Sequence, residues 1–318
     1  MQRELPITRI VNAALDLVAQ TTELAGPPLP HSGGPGDTIP RRIGKFRILD
    51  LLAQGMALVY KALQDHPRRV VALKVPCGGR LLGPEVRERF LREIRLTASM
   101  YLAGIVPVLE VGEIDGAPFY TMPFIEGYSL ADFVQVANPV LARRLEVFQR
   151  ICVVAQGLHQ RGVVHCDLKP ANVIVDKHGE VRLLDFGLAR SLAESESPHS
   201  KEMIVGGTLQ YMAPEQTLPG RAERLTPAAD VYSLGVILYW LLTDSHPYHA
   251  SGSHETALAA VRQAVIQPPS QLRPGLGPRF DRVVMGCLAK DHARRPPHAG
   301  ALAAMLAEEC APACSTKH

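Results

Sequence analysis

Residues 165–172 read His-Cys-Asp-Leu-Lys-Pro-Ala-Asn, and residues 185–187 read Asp-Phe-Gly. Asp167, Lys169 and Asn172 fall within six residues, so one short loop can present a carboxylate, a cation and an amide oxygen together. Phosphoryl transfer needs such a set, because it requires a carboxylate at the incoming hydroxyl, a cationic hold on the phosphates and metal ligands. Any one of these residues alone is more often a solvated or capping group. Their spacing as a set indicates a catalytic loop.

Asp185 lies between a predicted strand and a turn. The strand-like run 181–184 precedes it and Gly187 follows it. A turn at this point would leave the carboxylate directed into a cleft, where it could bind a hard cation such as Mg²⁺. The sequence therefore predicts that Asp185 is a metal ligand.

The composition of the chain limits the classes of binding partner and the cellular compartment that can be expected. A net charge of +3 over 318 residues is too small to imply nucleic acid or an anionic membrane as a partner. The six cysteines are scattered without a Cys-x-x-Cys pair, which favours reduced thiols over a disulfide framework or a zinc site. The N-terminus lacks the pattern of a secretory signal, and the apolar stretch 231–242 is too short to span a bilayer. We expect a cytoplasmic protein without a membrane span.

The segment 1–43 is predicted to be an amphipathic helix followed by a linker. Apolar residues recur at helical spacing between positions 7 and 18, and residues 21–42 are rich in Pro and Gly. The helix at 7–20 has two interpretations: it packs against the main domain, or it serves partner docking or self-association. Residues 311–318 are expected to form a flexible tail.

The pattern changes from residue 44 onward. Short β-prone runs and one helix are followed by a mainly helical half. The predicted strand runs are 46–52, 58–62, 70–75 and 105–121, the helix is 84–100, and helices dominate after about 129. Pro84 suits the first turn of that helix. This order predicts an α+β fold with a small β-rich lobe, a larger helical lobe and a cleft between them.

The segment 44–310 resembles a protein kinase domain of the Ser/Thr class and is most similar to the bacterial branch of that family. Residues 71–74 read Val-Ala-Leu-Lys, similar to the strand whose lysine contacts the α and β phosphates. Glu93 matches the partner of that lysine. The resemblance implies a bilobal fold with an N-lobe over about 44–121, a hinge at about 122–127 and a C-lobe over about 128–310.

The same resemblance implies roles for the catalytic residues. Asp167 matches the catalytic base, Lys169 the γ-phosphate contact, and Asn172 and Asp185 the metal ligands. It implies ATP as the phosphoryl donor, Mg²⁺ as the metal with Mn²⁺ as an alternative, and a Ser- or Thr-bearing protein as the acceptor.

Motifs further along the chain resemble the peptide-binding part of the family. Residues 213–215 read Ala-Pro-Glu, like the end of the activation segment, and Gly207-Thr208 resembles the part that positions a peptide. Asp230 resembles the aspartate that braces the catalytic loop, and Arg295 the usual partner of the glutamate at 215. Lys169 together with Thr208 is typical of Ser/Thr rather than Tyr kinases.

The resemblance also implies which residues contact the nucleotide. These are Ala53, Gly55, Val59, Ala72, Lys74, Glu93, Met122, Pro123, Ile125, Asn172, Ile174 and Asp185. Met122 falls at the gatekeeper position. In the hinge, Pro123 can still offer its carbonyl and Ile125 its N–H to adenine. Val59, Ala72 and Ile174 are apolar where the family sandwiches the adenine, although plain core packing would explain them too.

The phosphate-covering loop departs from the family pattern Gly-x-Gly-x-x-Gly-x-Val. Glycines there let backbone N–H groups approach phosphates without an intervening Cβ. Counted back from Val59 without a gap, the three glycine positions hold Leu52, Gln54 and Ala57. With one residue deleted they hold Ala53, Gly55 and Ala57, and this alignment places both flanking strands correctly. Either way the loop is stiffer or shorter than usual, which raises the question of weak nucleotide binding.

The catalytic loop departs from the pattern at Cys166, where many of these kinases have arginine. That arginine meets a phosphate on the activation segment, a charge-assisted contact that cysteine cannot supply. We therefore expect activity that does not depend on activation-segment phosphorylation through this contact. A redox role for Cys166 is an alternative. Serines that could accept phosphate there are Ser191, Ser195, Ser197 and Ser200, although a Ser/Glu run also suits a solvated loop.

Three functions compete. The first is an active Ser/Thr protein kinase. The second is a pseudokinase that acts as a nucleotide-binding or scaffold module, which the altered loop favours and the retained catalytic residues oppose. The third is a kinase-like enzyme for a small molecule, which fits poorly with the peptide-type motifs at 207–208 and 213–215.

Overall fold

The computed structural model describes residues 39–78, 82–192, 206–218, 225–249 and 253–310. Within them the chain forms two compact units. The first comprises residues 39–101 and 105–126, and the second comprises 102–104 together with the described residues from 127 onward. The predicted helix at 7–20 and the tail at 311–318 lie outside the described residues, so both stay predictions.

The first unit is built on one antiparallel sheet with the strand order β1-β2-β3-β4-β6-β5. The strands are β1 (Arg42–Ile43), β2 (Phe46–Gln54), β3 (Ala57–Gln64), β4 (Arg69–Pro76), β5 (Glu110–Ile114) and β6 (Ala117–Pro123). Side chains of β3 alternate between half-buried and buried, because one face of the sheet packs on the core. Arg42 and Ile43 were predicted to end the linker but form β1, since Ile43 is buried in the core of this sheet.

Helix α1 (Pro84–Ser99) begins at a proline in the first turn, close to the predicted bounds. Its residues Phe90 and Ile94 lie four apart and therefore share one face. That face packs against Val108 and Tyr120. The packing fixes the position of Glu93, which lies between Phe90 and Ile94 in the chain and is also buried.

The second unit is mainly helical. Its helices are α2 (Leu130–Ala137), α3 (Leu141–His159), α4 (Pro227–Thr243), α5 (His254–Gln263), α6 (Pro269–Leu272), α7 (Pro278–Cys287) and α8 (Ala299–Cys310). The apolar stretch 231–242 lies within α4, where almost every side chain is buried. Helix α4 packs against α3, α7 and α8. A β-rich first unit and a helical second unit confirm the predicted α+β class.

Short strands in the second unit flank the residues that the sequence predicts to be catalytic. They are β7 (Gly127–Ser129), β8 (Val163–Val164), β9 (Val173–Asp176), β10 (Val181–Leu183) and β11 (Arg190–Ser191). Strand β9 pairs with β7 and β10, and β8 pairs with β11. The loop 165–172 therefore connects two strands, and Asp185 follows a third. Across the described residues, no helix combines the length and the apolar character needed to cross a bilayer.

Candidate active site

The loop between β8 and β9 places two polar side chains, Lys169 and Asn172, against the carboxylate of Asp167. The ammonium of Lys169 donates to Asp167 Oδ2 at 2.8 Å, and the amide of Asn172 donates to the same oxygen at 3.0 Å. Asn172 also donates to the backbone carbonyl of Asp167 at 2.9 Å. These contacts hold the carboxylate of Asp167 through one of its two oxygens. The structure therefore brings together the three residues that the sequence placed in one catalytic loop.

The second carboxylate oxygen of Asp167, Oδ1, is buried and has no hydrogen-bond partner among the described residues. A buried acceptor without a donor carries a free-energy cost, so it marks a place where a donor such as a substrate hydroxyl would be favoured. Burial raises the pKa of Asp167, and the nearby Asp185 carboxylate adds to this effect, while Lys169 opposes it. A raised pKa makes the carboxylate a better proton acceptor than an ordinary aspartate.

Asp230 holds the backbone at the start of this loop. Its two oxygens accept hydrogen bonds from the N–H groups of His165 and Cys166, both at 2.8 Å. The imidazole of His159 lies 2.9 Å from the same carboxylate. Burial alone would raise the pKa of Asp230. The pKa is nevertheless below its usual value, because Asp230 has a hydrogen bond with His159 and accepts one from the backbone N–H of His165, and both imidazoles lie nearby. Asp230 is therefore a buried carboxylate whose function here is to hold the loop.

Asp185 and Cys166 both adopt left-handed backbone conformations, with φ of +62° and +63°. Such conformations are uncommon for residues other than glycine and persist where surrounding contacts impose them. For Asp185, Gly187 N–H donates to its Oδ1 at 3.1 Å. The preceding residue, Leu184, is held to the catalytic loop, because its N–H donates to the carbonyl of Asn172 at 2.9 Å. Asp185 is thereby tied to the loop that carries Asp167.

In the first unit, Lys74 on β4 and Glu93 on α1 form a buried ion pair with an Nζ–Oε1 distance of 2.5 Å. The hydroxyl of Tyr120 on β6 donates to the same Glu93 oxygen at 2.7 Å. The pairing of Lys74 with Glu93 is the one that the sequence predicted. Tyr120 was missed, because nothing in the local sequence marks a tyrosine in a strand as the partner of a distant carboxylate.

The other predicted nucleotide contacts of the first unit lie on its strands or beside them. Ala72 of β4 pairs with Met122 of β6, Val71 of β4 pairs with Pro123, and Ile125 follows β6. Ala53 pairs with Val59 across the β2–β3 hairpin, after a bulge between Leu51 and Ala53. The turn at Gly55 and Met56 is tight, since Gln54 pairs with Leu58. Ile174 lies on β9 of the second unit.

The segment predicted to bind peptide is two short 3₁₀ helices, Gly206–Tyr211 and Pro214–Thr217. Glu215 in the second of these binds Arg295, as predicted. Gln216, which sequence reasoning missed, donates through its amide to the carbonyl of Cys166 at 2.8 Å and accepts from the N–H of Ala213 at 2.9 Å. The backbone of Thr208 lies in the first 3₁₀ helix, and its side chain is not among the described atoms.

Comparison with known proteins supplies the family. The family model of the protein kinase domain matches residues 48–306. The serine/threonine-protein kinase PknB of Mycolicibacterium smegmatis is 34% identical over 242 residues, which cover 74% of this chain and 38% of the relative. The DNA damage-responsive serine/threonine-protein kinase RqkA of Deinococcus radiodurans is 35% identical over 269 residues, which cover 83% of this chain and 39% of the relative.

A probable serine/threonine-protein kinase of Streptomyces coelicolor is 34% identical over 259 residues, with 79% of this chain and 38% of the relative covered. The chain thus spans about two fifths of the length of these curated relatives. The matched region contains the Lys74–Glu93 pair, the Asp167 loop and the Glu215–Arg295 pair. The chain belongs to the protein kinase domain family.

Proposed function

We propose that this chain transfers the γ-phosphoryl group of ATP to Ser or Thr hydroxyls of protein substrates. The observation that carries the proposal is the asymmetry of the Asp167 carboxylate. One oxygen is held by Lys169 and Asn172, and the other is buried without a partner among the described residues. Such a carboxylate can accept a hydrogen bond, and then a proton, from one incoming hydroxyl.

In the proposed reaction, Asp167 Oδ1 orients the substrate hydroxyl and accepts its proton. The hydroxyl oxygen forms a bond to the γ-phosphorus, and the bond between that phosphorus and the ADP oxygen breaks. Lys169, held beside the carboxylate at 2.8 Å, offsets negative charge at the transferred phosphoryl group. The raised pKa of Asp167 fits its role as the proton acceptor.

The donor set of the second unit fits a magnesium ion. Asn172 and Asp185 offer amide and carboxylate oxygens, the ligand types that this hard cation prefers. Asn172 directs its amide N–H₂ at Asp167, which leaves its side-chain oxygen for a metal. When bound, Mg²⁺ or Mn²⁺ would neutralise phosphate charge. Among the described residues no cluster of three or more His, Cys, Asp or Glu side chains could hold a metal, so nucleotide and water oxygens would complete its coordination.

We assign the nucleotide contacts to the residues that the sequence predicted. Lys74, whose ammonium is fixed by Glu93, would contact the phosphates. Val59, Ala72 and Ile174 would contact the adenine faces, Pro123 and Ile125 its edge, and Met122 would limit the pocket. Ala53 and Gly55 would cover the phosphates.

The test is the transfer of labelled phosphate from ATP to a generic protein such as casein, followed by phosphoamino-acid analysis. Wild type should label Ser and Thr, while Asp167→Asn, which keeps the shape of the side chain, should lose nearly all transfer. Equal labelling by both proteins would refute the proposal. A Mg-ATP thermal-shift titration separates the pseudokinase alternative, because stabilisation without phosphate transfer by wild type would indicate a nucleotide-binding module.

A cytoplasmic location remains part of this proposal. It is supported by the free thiols of the described cysteines at 77, 152, 166, 287 and 310. We also keep both interpretations of the 7–20 segment. Deleting residues 1–38 and measuring activity and oligomer size distinguishes them, since unchanged oligomer size and activity would leave only a packing role.

A further inference from the structure

The turn between β2 and β3 corresponds to the glycine-rich loop of the kinase pattern and lacks most of its glycines. Two residues, Gly55 and Met56, form its tip, and we name them the hairpin tip. Gly55 N–H donates to the carbonyl of Ala57 at 3.1 Å, which closes the turn. The φ angle of Gly55 lies outside the left-handed region, and a Cβ there would touch nothing within 4 Å. Neither the backbone conformation nor the packing therefore requires glycine at position 55.

Both carbonyls of the hairpin tip are bound by Cys77, which directly follows β4. Its backbone N–H donates to the carbonyl of Met56 at 3.1 Å. Its thiol donates to the carbonyl of Gly55 at 3.1 Å. The tip is also held from α1, because Arg89 donates to the sulfur of Met56 at 3.6 Å. The tip is thus attached to the end of the strand that carries Lys74 and to the helix that carries Glu93.

From these contacts we infer that Cys77 is a positioning residue that holds the hairpin tip in place over the nucleotide phosphates. The inference rests on the proposed function. In a glycine-rich loop, a mobile backbone becomes ordered when it closes on the phosphates, and that ordering lowers the affinity. Here the tip is held by hydrogen bonds before any nucleotide binds, so less order has to be gained on binding. The missing glycines are thereby compensated by attachment of the tip to β4.

The protonation state of Cys77 suits this role. Burial raises the pKa of its thiol above the ordinary value. A thiol with a raised pKa keeps its proton at neutral pH, and only the protonated sulfur can donate to the Gly55 carbonyl. Serine offers a hydroxyl donor of similar reach, whereas alanine offers none. Position 77 therefore allows two informative variants: Cys77→Ser, which keeps a hydrogen-bond donor, and Cys77→Ala, which removes it.

The experiment compares wild type, Cys77→Ala, Cys77→Ser and the control Cys310→Ala, whose exposed thiol lies at the end of α8. Losing one weak S–H···O hydrogen bond should raise the KM for ATP about two- to fivefold in Cys77→Ala. We expect kcat and the KM for the protein substrate to stay at the wild-type values. Cys77→Ser and Cys310→Ala should both behave as wild type. This split would not arise from a general loss of stability.

Hydrogen exchange of the amides at 52–58, measured without nucleotide, provides a readout that needs no activity. Cys77→Ala should exchange faster there, and Cys77→Ser should not. Unchanged exchange in Cys77→Ala, or faster exchange with an unchanged KM, would overturn the inference. If wild type neither binds ATP nor transfers phosphate, the proposed function fails. The hydrogen-exchange data still show, independently of activity, whether Cys77 holds the tip.

Discussion

The guanidinium of Arg295 binds the carboxylate of Glu215 through both terminal nitrogens, at 2.7 and 2.8 Å. Both side chains are buried. The pair joins the chain just before α8 to the 3₁₀ helix Pro214–Thr217, which follows the segment predicted to bind peptide. Bidentate geometry makes this the strongest class of side-chain ion pair.

Arg295→Leu should destabilise the fold strongly. It leaves the Glu215 carboxylate buried without its partner, and breaking a buried pair in this way costs about 3–5 kcal/mol. Urea unfolding measures the loss. The matched control is Arg42→Leu, whose side chain is 55% exposed and pairs with Asp65, itself 46% exposed, so it should cost no more than about 1 kcal/mol. Equal losses in the two variants would contradict the assigned role.

Tyr120→Phe should weaken the hold on Glu93. A hydrogen bond to a charged group contributes about 1.5–3 kcal/mol, so the free energy of unfolding should fall by about that amount. The KM for ATP should rise, because the carboxylate that fixes Lys74 becomes less constrained. Tyr128→Phe is the control, since its side chain is largely exposed. Identical unfolding curves and KM values for both variants would rule out this role of Tyr120.

The acid limb of the pH–activity profile should report Asp167. Only the carboxylate form accepts the proton, and the pKa of Asp167 lies above that of an ordinary aspartate. Activity should therefore fall on acidification at a higher pH than an unperturbed aspartate would give. Lys169 lowers this pKa, so Lys169→Met should move the acid limb further toward neutral pH. A limb that stays in place or moves to lower pH in that variant would argue against Asp167 as the titrating base.

Phosphatase treatment of the purified protein should leave its kinase activity unchanged. The Cys166 side chain is buried, and its thiol donates to the carbonyl of Val164 at 3.6 Å. Cysteine also lacks the charge that would order a phosphorylated segment. Activity before and after treatment, with mass spectrometry of residues 188–208, is the measurement. A large loss that tracks with dephosphorylation of one of those residues would contradict the prediction.

The sequence predicts the centres of the strands better than their ends. The predicted runs 46–52, 58–62 and 70–75 all lie inside observed strands, each of which is two or three residues longer than the prediction. Their ends are polar residues such as Gln54 and Gln64, which join the sheet through backbone pairing and leave no hydrophobic signal. The short strands β7, β8 and β11 depend on partners distant in the chain, which a local pattern does not reveal.

The same distinction separates the predicted from the missed site residues. Asp167, Lys169 and Asn172 are close in sequence, so their spacing alone identified the loop. The partners Lys74 with Glu93 and Glu215 with Arg295 came from family resemblance. Tyr120 and Gln216 form hydrogen bonds with residues 27 and 50 positions away in the chain. No spacing rule covers such contacts, and only the fold places these groups together.

The amide of Gln216 has a consequence for how substrate preference can change. It bridges the carbonyl of Cys166 and the N–H of Ala213, so one side chain links the turn after the segment predicted to bind peptide to the residue next to the proposed base. A substitution that shifts this turn would also shift the base. New substrate preferences should therefore arise from substitutions outside the turn 213–216. Substitutions inside the turn would change the position of the proposed base as well as the substrate contacts.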